Sequence, residues 1–528
     1  MDRRSFLAIV LCFLVFLGWQ KLYIEPRLPH GNPAATLTQA QPENQSGATA
    51  VGSQTPNPSQ ASSVTGEIKH ASAPQTREIP TGTGQAILGD GGNFFVGYNL
   101  KAYQQGLSAN DAAVSIRSVT NLEGNGGLAF DDPQFSYLSS VQGTFSQNGS
   151  AVIWTFEDAN VKLTREFSGS GAQNFVTASL TAQFKTAKRP NYAFVSLESQ
   201  TPEKAPEARD RQMVYYTNGD IQRIGDQKAK LQEIATDIQY IGVNSRYFLM
   251  AFLPQGPLGA KGLVQPLSTN AGRISLVYPI SGNSITIPLH VYFGPKELSL
   301  LHSVDPKLDL TVDFGWFKIF AYPILEVLRW IYGFIRNYGV SIILLTLLLK
   351  ILTYPLTYKS MKSMKEMAKI QPQIQKIREK YKDDKEALNR EMLTLMRTHG
   401  YNPAAGCLPI VIQMPIFFAL YRVLYSSIEL YHAPFVGYIH DLAAPDPYYV
   451  TPIVLSLTMF VQQKLSPQNA ATDPAQQKMM QFMPLMFGAF MLNLPSGLTL
   501  YMLTNALASI LQQMILNKKF NAGNIKPA

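Results

Sequence analysis

The spacing of apolar and polar positions changes several times along the chain, and each change marks a different kind of element. Residues 6–19 form an apolar run behind Met1-Asp2-Arg3-Arg4, and no small-x-small cleavage site follows. That pattern predicts an uncleaved transmembrane anchor over 1–24 with its N-terminus inside. Residues 25–85 are rich in Pro, Ser, Thr, Gln, Gly and Ala, with no aromatic between Tyr23 and Phe94. Such a stretch buries too little apolar surface to offset chain entropy, so it reads as a disordered linker outside the cytoplasm. From 86 to 311 the period becomes two. Val152-Ile-Trp-Thr-Phe, Val161-Lys-Leu-Thr-Arg-Glu-Phe167, Phe175–Phe184 and Ser284–Phe293 are β-rich runs separated by Gly, Asn and Pro turns. They predict a large antiparallel β-sandwich.

Beyond 311 the period is helical. Residues 312–336 are apolar but broken by Lys318, Glu326, Arg329 and Arg336 on one stripe, with Trp316, Phe320, Ile324, Leu328, Trp330 and Ile331 opposite. A spanning helix would bury that stripe, so an amphipathic helix lying in the outer interface is expected. Five apolar segments follow, at 338–357, 404–428, 449–465, 479–494 and 497–516. With the anchor they make six spans and place both termini inside. Within the inner loop 359–400, Met361, Met364, Met367, Ile370, Ile374 and Ile377 recur at helical spacing. Asp383-x-x-Glu386 then opens a second helix with Leu388, Met392 and Leu395, giving a helical hairpin. The hairpin reads either as a solvated charged element packed on itself or as a docking surface through Lys365, Lys369, Gln371, Pro372, Lys376 and Arg378.

Composition sharpens this picture. Only 15% of the 528 residues are charged, against about 25% in ordinary soluble chains. Apolar spans diluting a normal soluble domain account for the deficit. The net charge of +9 lies in three pieces: +1 in residues 1–5, +5 in 359–400, where eleven Lys/Arg face six acids, and +3 in the basic tail 517–528. The loop 429–447 has no Lys or Arg. Positive charge inside and none outside agrees with the span count. Basic clusters beside spans favour topology over nucleic-acid binding, and two Cys exclude a disulfide scaffold.

Catalytic signatures are missing. No phosphate-binding Gly-x-x-x-x-Gly-Lys-Ser/Thr, no Gly-x-Ser-x-Gly and no His-Glu-x-x-His occurs. His432 and His440 share a loop with Asp441, a set more often surface and cap than metal ligands. Neither an enzyme nor a metal or cofactor site is expected. Polar residues inside the spans carry the remaining signal. Lys350 sits about 18 Å from the outer end of its segment, at 1.5 Å per residue. A cation there costs at least about 2.5–3.5 kcal/mol, so it faces a polar cavity unless it snorkels to the inner surface. Thr346 lies one turn above it; Gln413, Asn493, Tyr501, Thr504 and Asn505 are further polar groups in the spans. Together they suggest a shared wet pocket.

The chain resembles the YidC membrane-protein insertases, relatives of the mitochondrial and chloroplast Oxa/Alb insertases. The resemblance is carried by Tyr354-Pro-Leu-Thr, Gln371-Pro-x-Ile, Asn402-Pro403, Gly406-Cys-x-Pro-Ile-Val-Ile-Gln-Met-Pro-Ile-Phe417, Asp446-Pro-Tyr-Tyr449, Asp473-Pro-x-Gln-Gln-Lys478, Phe482-Met-Pro484 and Pro495-Ser-Gly-Leu498. Gly294-Pro-Lys-Glu297 and the domain order match the Gram-negative branch. The resemblance implies a multi-domain inner-membrane protein: a five-helix insertase core with an N-terminal anchor, a periplasmic β-sandwich and a cytoplasmic hairpin. It implies a groove closed to the outside with one positive residue, usually Arg and here Lys350. It places Thr346, Gln413 and Tyr501 on groove positions, while Asn493 replaces an aromatic. Expected partners are nascent membrane proteins, the Sec translocon, lipids and, through a short tail, the ribosome. No cofactor, DNA or small-molecule substrate is implied, and a monomer is expected. A small-solute transporter using the same polar residues is the rival reading. It would favour internal repeats, paired broken helices and an intramembrane acid, which are not found.

Overall fold

The computed structural model describes residues 76–522 apart from 92, 105–112, 116–124, 140, 173, 201–210, 226–227, 235–236, 257–259, 269, 382–383, 399–403 and 466–473. The expected anchor, the linker up to residue 75 and residues 523–528 of the tail lie outside the described residues. The linker ends earlier than its composition suggests. Thr76–Pro80 is a strand paired antiparallel with Gly84–Gly89. As an edge strand it buries only Ile79, so neither aromatics nor alternation betray it.

Among the described residues, two nine-stranded antiparallel sheets build the sandwich. One runs from the edge strand Thr76–Pro80 to Gln232–Ile234, the other from Asp220–Gly225 to Thr144–Asn148. Along Phe175–Phe184 buried positions alternate with more exposed ones, as a strand with one face on the core requires. Aromatics close the two sheets on each other: Phe95 meets Phe293 edge-on at 4.8 Å, and Phe94 stacks on Phe252 at 6.1 Å. The strand Phe248–Pro254 is buried almost throughout. Residues 306–311 run against its sheet, where the Thr311 and Lys307 carbonyls accept from Asn244 and Tyr240. Lys296 of the Gly-Pro-Lys-Glu segment is buried, its Nζ donating to Asn244 Oδ1 at 2.9 Å and Ser245 O at 2.8 Å.

Eight α-helices follow among the described residues: α1 (Leu298–Val304), α2 (Lys318–Ile335), α3 (Tyr338–Lys380), α4 (Lys385–Thr398), α5 (Ala404–Ser426), α6 (Val450–Leu465), α7 (Pro474–Met491) and α8 (Ser496–Ala522). Each expected apolar segment forms a helix, with several boundaries displaced. The first segment does not end before the hairpin. α3 is one helix of 43 residues that carries Pro355 and Pro372 inside it, so apolar segment and first hairpin arm are a single rod. The second arm is capped by Asp384, whose Oδ1 accepts from Glu386 N and Ala387 N at 3.1 and 2.9 Å. The expected cap, Asp383, lies outside the described residues. The arms meet through Ile370 and Ile374 against Met392 and Leu395. α8 continues through Ala522, so the first part of the basic tail is helical.

Among the described residues, Tyr338–Lys365 is the helical stretch long and apolar enough to cross a bilayer on length and composition. The helices around it leave wide apolar faces exposed, including Ile453 and Leu457 on α6, Phe482 and Leu485 on α7, and Leu507 and Leu511 on α8. α6 and α7 lie so close that Gly488 has no room for a Cβ beside the Ser456 hydroxyl.

α2 departs from the expected one-sided stripe. Ala321, Ile324, Leu325, Leu328 and Ile331 are buried, whereas Trp316, just ahead of the helix, and Ile319, Phe320, Trp330 and Phe334 are exposed. Its charges do not all face away: Arg329 turns inward, donating from Nε to Glu429 Oε1 at 2.8 Å. The physical reason is that α2 carries two apolar faces, and the arginine lies at the edge of the inner one. Burial pushes the Glu429 carboxyl up, against the Arg329 charge that lowers it. The sandwich is joined to the helices by further contacts. Arg246 Nε donates to Tyr425 O at 2.7 Å with its guanidinium 3.7 Å from the Tyr425 ring, and Tyr431 packs on Tyr247 at 5.1 Å.

The Asp446-Pro-Tyr-Tyr segment caps α6. The buried Asp446 carboxylate accepts from Tyr448 N at 3.0 Å, from Thr451 N at 2.8 Å and Thr451 Oγ1 at 2.7 Å, and from Tyr438 OH at 3.2 Å. Burial raises the carboxyl, but these donors hold it below its ordinary 3.8.

Two outcomes follow from these contacts. Arg329→Ala leaves Glu429 buried without its partner and lowers stability by about 3 kcal/mol, against less than about 1 kcal/mol for Arg422→Ala, whose 4.0 Å pair with Asp313 is more exposed. Thermal unfolding of the purified full chain in detergent measures both. Because the folded Asp446 value is depressed, its contribution is complete above its ordinary value and is lost as pH falls through the folded one. Asp446→Asn therefore costs most near neutral pH, and its deficit shrinks on acidification in the same unfolding assay.

Candidate functional site

Four helices bring polar side chains to one depth. Measured from their ends nearest the sandwich, Lys350 of α3, Gln413 of α5, Gln462 of α6 and Ser509 of α8 all lie about 18–20 Å along, at 1.5 Å per residue. They line a cavity of about 160 Å³. Lys350, Thr353, Thr357, Met361 and Met364 form its α3 wall at helical spacing, while Ser509, Gln512 and Gln513 form the α8 wall. Among the described residues, no acid lines it.

Hydrogen bonds fix the orientation of several of these groups. Lys350 Nζ donates to Ser509 Oγ at 2.7 Å. Gln413 Nε2 donates to Tyr501 OH at 2.8 Å. Gln513 Nε2 donates to Leu465 O at 2.7 Å, tying α8 to the end of α6. The hydroxyls of Thr353 and Thr357 bond back within α3, to Leu349 O and Thr353 O at 2.8 and 3.1 Å. Toward the sandwich the cavity is sealed by packed side chains. Thr346 is 2% exposed and Tyr501 1% exposed, and Ile342, Leu345 and Leu498 on the sandwich side of the cavity are buried as well.

The residues expected to share a pocket therefore separate. Lys350 and Gln413 line the cavity. Tyr501 stands above it and touches it through Gln413. Thr346 is buried in the seal, its hydroxyl on Ile342 O at 2.6 Å. Thr504 and Asn505 are half-buried on α8 but do not line the cavity; Thr504 bonds back to Leu500 O. Asn493 is exposed in the turn between α7 and α8, because α7 stops at Met491 and the chain turns ahead of Pro495. Ser509, Gln462, Gln512 and Gln513 belong to the cavity although the reading of the sequence does not reach them. Their signal is the paired amides Gln462-Gln463 and Gln512-Gln513, which interrupt otherwise apolar helices. Of the hairpin residues, Lys369, Pro372 and Lys376 are exposed, Lys365 and Arg378 are half-buried, and the side chain of Gln371 lies outside the described residues.

Both halves of the chain match known families. One described as 60Kd inner membrane protein matches residues 330–523, and one described as YidC periplasmic domain matches residues 99–327. The protein named Membrane protein insertase YidC in Geobacter metallireducens is 33% identical over 563 residues, covering 100% of both chains. Its namesake in Geobacter sulfurreducens is 34% identical over 565 residues, again covering 100% of both. A crystal structure of an active YidC insertase with its first transmembrane domain resolved aligns at 18% identity and a TM-score of 0.36, over 86% of this chain and 94% of that one.

Accessibility separates the cavity from its seal. With the full chain in membranes, Thr357→Cys and Gln512→Cys are expected to react with a water-soluble maleimide. Thr346→Cys and Tyr501→Cys are expected to react at least about tenfold more slowly, since only the former pair faces a polar space that water can occupy. Equal labelling of all four would place the seal elsewhere.

Proposed function

The chain belongs to the YidC family of membrane protein insertases of the inner membrane, and on that premise we propose how its own residues perform insertion. The reading rests on one observation: among the described residues, Lys350 is the single charged group in the wall of a polar cavity, on a helix apolar enough to span the bilayer. Water and amide groups in the cavity take up the hydrophilic end of an incoming segment and lower its cost of entering hydrocarbon. The Lys350 ammonium attracts acidic residues of that segment. The apolar part then leaves sideways between exposed apolar helix faces into lipid, where its own burial drives it. No covalent step is needed, so the activity is not enzymatic.

In this reading the five expected core segments and the anchor give six spans, with both termini cytoplasmic and the sandwich periplasmic; the basic inner loop and tail support that orientation. The hairpin, through exposed Lys369, Pro372 and Lys376, meets the Sec translocon or a ribosome at the cytoplasmic face. A solute transporter would place an acid beside Lys350 to couple ions, and no acid among the described residues lines the cavity.

Reconstituted full-length protein tests the reading with a single-span substrate bearing an acidic outer tail. Lys350→Ala is expected to lower its insertion at least about tenfold, the scale of one charge-assisted contact, while Lys350→Arg keeps most of it. Photocrosslinkers at Thr353 and Gln413 are expected to capture the nascent segment. Unchanged insertion by Lys350→Ala would refute the role of the charge.

A further inference from the structure

We propose that Ser509 is the positioning residue for Lys350, holding its ammonium at mid-depth so that the remaining N–H groups point at the substrate. The proposal rests on the reading of Lys350 as the attracting charge. An ammonium has three donors and no acceptor. One of them goes to Ser509 Oγ at 2.7 Å. The Ser509 hydroxyl gives its own proton to Asn505 O, also at 2.7 Å, so what it offers Lys350 is a lone pair. The two bonds form a chain from charge to main chain in which donor and acceptor are fixed at each link.

Among the described residues, Lys350 Nζ donates to Ser509 and not to three other polar groups of the wall, which donate to partners of their own. Thr353 bonds to its own helix, Gln413 to Tyr501 and Gln513 to Leu465. Ser509 also sits on α8, across the cavity from α3. It therefore draws the lysine stem across the space rather than along α3 toward the basic hairpin, where a four-carbon stem would otherwise snorkel. Snorkelling would carry the charge away from mid-depth and weaken its pull on a carboxylate there. A serine that merely let α3 and α8 approach closely would need no hydroxyl, and this separates the two roles.

The full chain in proteoliposomes, with two matched substrates, tests this. One substrate carries an acidic outer tail and the other has the same tail with Asp and Glu changed to Asn and Gln. Ser509→Ala is expected to lower the ratio of acidic-tail to neutral-tail insertion about tenfold, the loss of one hydrogen bond to a charged group. Ser509→Thr retains the ratio, whereas Ser509→Val, of the same shape as threonine, does not. Ser509→Ala added to Lys350→Ala changes the ratio no further. Equal losses for both substrates, equal behaviour of Thr and Val, or a further drop on the Lys350→Ala background would each overturn the proposal. If Lys350→Ala itself leaves the ratio unchanged, the reading of the charge fails, and that outcome is distinct from a failure of Ser509 alone.

Discussion

An ammonium group among apolar helices must be solvated by something, and in this protein the arrangement of four helices answers to that need. Water alone would require an open channel, which a membrane cannot tolerate across its whole thickness. A carboxylate would neutralise the charge, and no acid among the described residues lines the cavity. The wall around Lys350 avoids both. Hydroxyls and amides from α3, α5, α6 and α8 meet it at one level, and the buried Thr346 and Tyr501 close the side toward the sandwich. The polar space is thus shut off on the sandwich side.

The sandwich end supplies the rigidity that this asymmetry needs. Arg246 on the Tyr425 carbonyl, the aromatic cluster around Tyr431 and the Asp446 cap lie at the ends of α5 and α6 nearest the sheets, and the Arg329–Glu429 pair ties α2 to the segment after α5. The apolar core is continuous from the sheets into α2, α3, α5 and the start of α8. The opposite end is built differently: Met361 packs on Leu516 in a small separate cluster, and the hairpin has its own. Tight contacts gather where the cavity is closed and sparser ones toward the hairpin.

Much of this is legible in the residues. Alternation locates the sandwich, apolar runs locate where the helices begin to within a few residues, though not that α3 runs on through the hairpin arm, and a cation in an apolar run points to Lys350, with Gln413 across the cavity. What escapes shares a physical cause. Ser509, Gln462 and Gln512 are neutral, and small or amide side chains in apolar helices serve helix packing as readily as a cavity, so even the paired amides do not single them out until the helices are assembled around one space. Arg329 falls on one stripe with the outward charges, and its partner Glu429 is 100 residues away. The strand Thr76–Pro80 buries one side chain, too little for any pattern. Asp383 and Asp384 are adjacent acids, and choosing the cap of α4 between them takes backbone geometry, which composition does not carry.

The length of α3 has a mechanical meaning. From Lys350 to Pro372 the rod runs about 33 Å without a break in helical structure, at 1.5 Å per residue. Anything that grips the hairpin therefore holds a lever whose fulcrum lies in the cavity wall. Pro355, which lacks the N–H that would bond to the preceding turn, lies between Lys350 and the hairpin arm and is where the rod bends most readily. The polar wall and the hairpin arm thus share one helical backbone with a proline between them, and no loop separates the two.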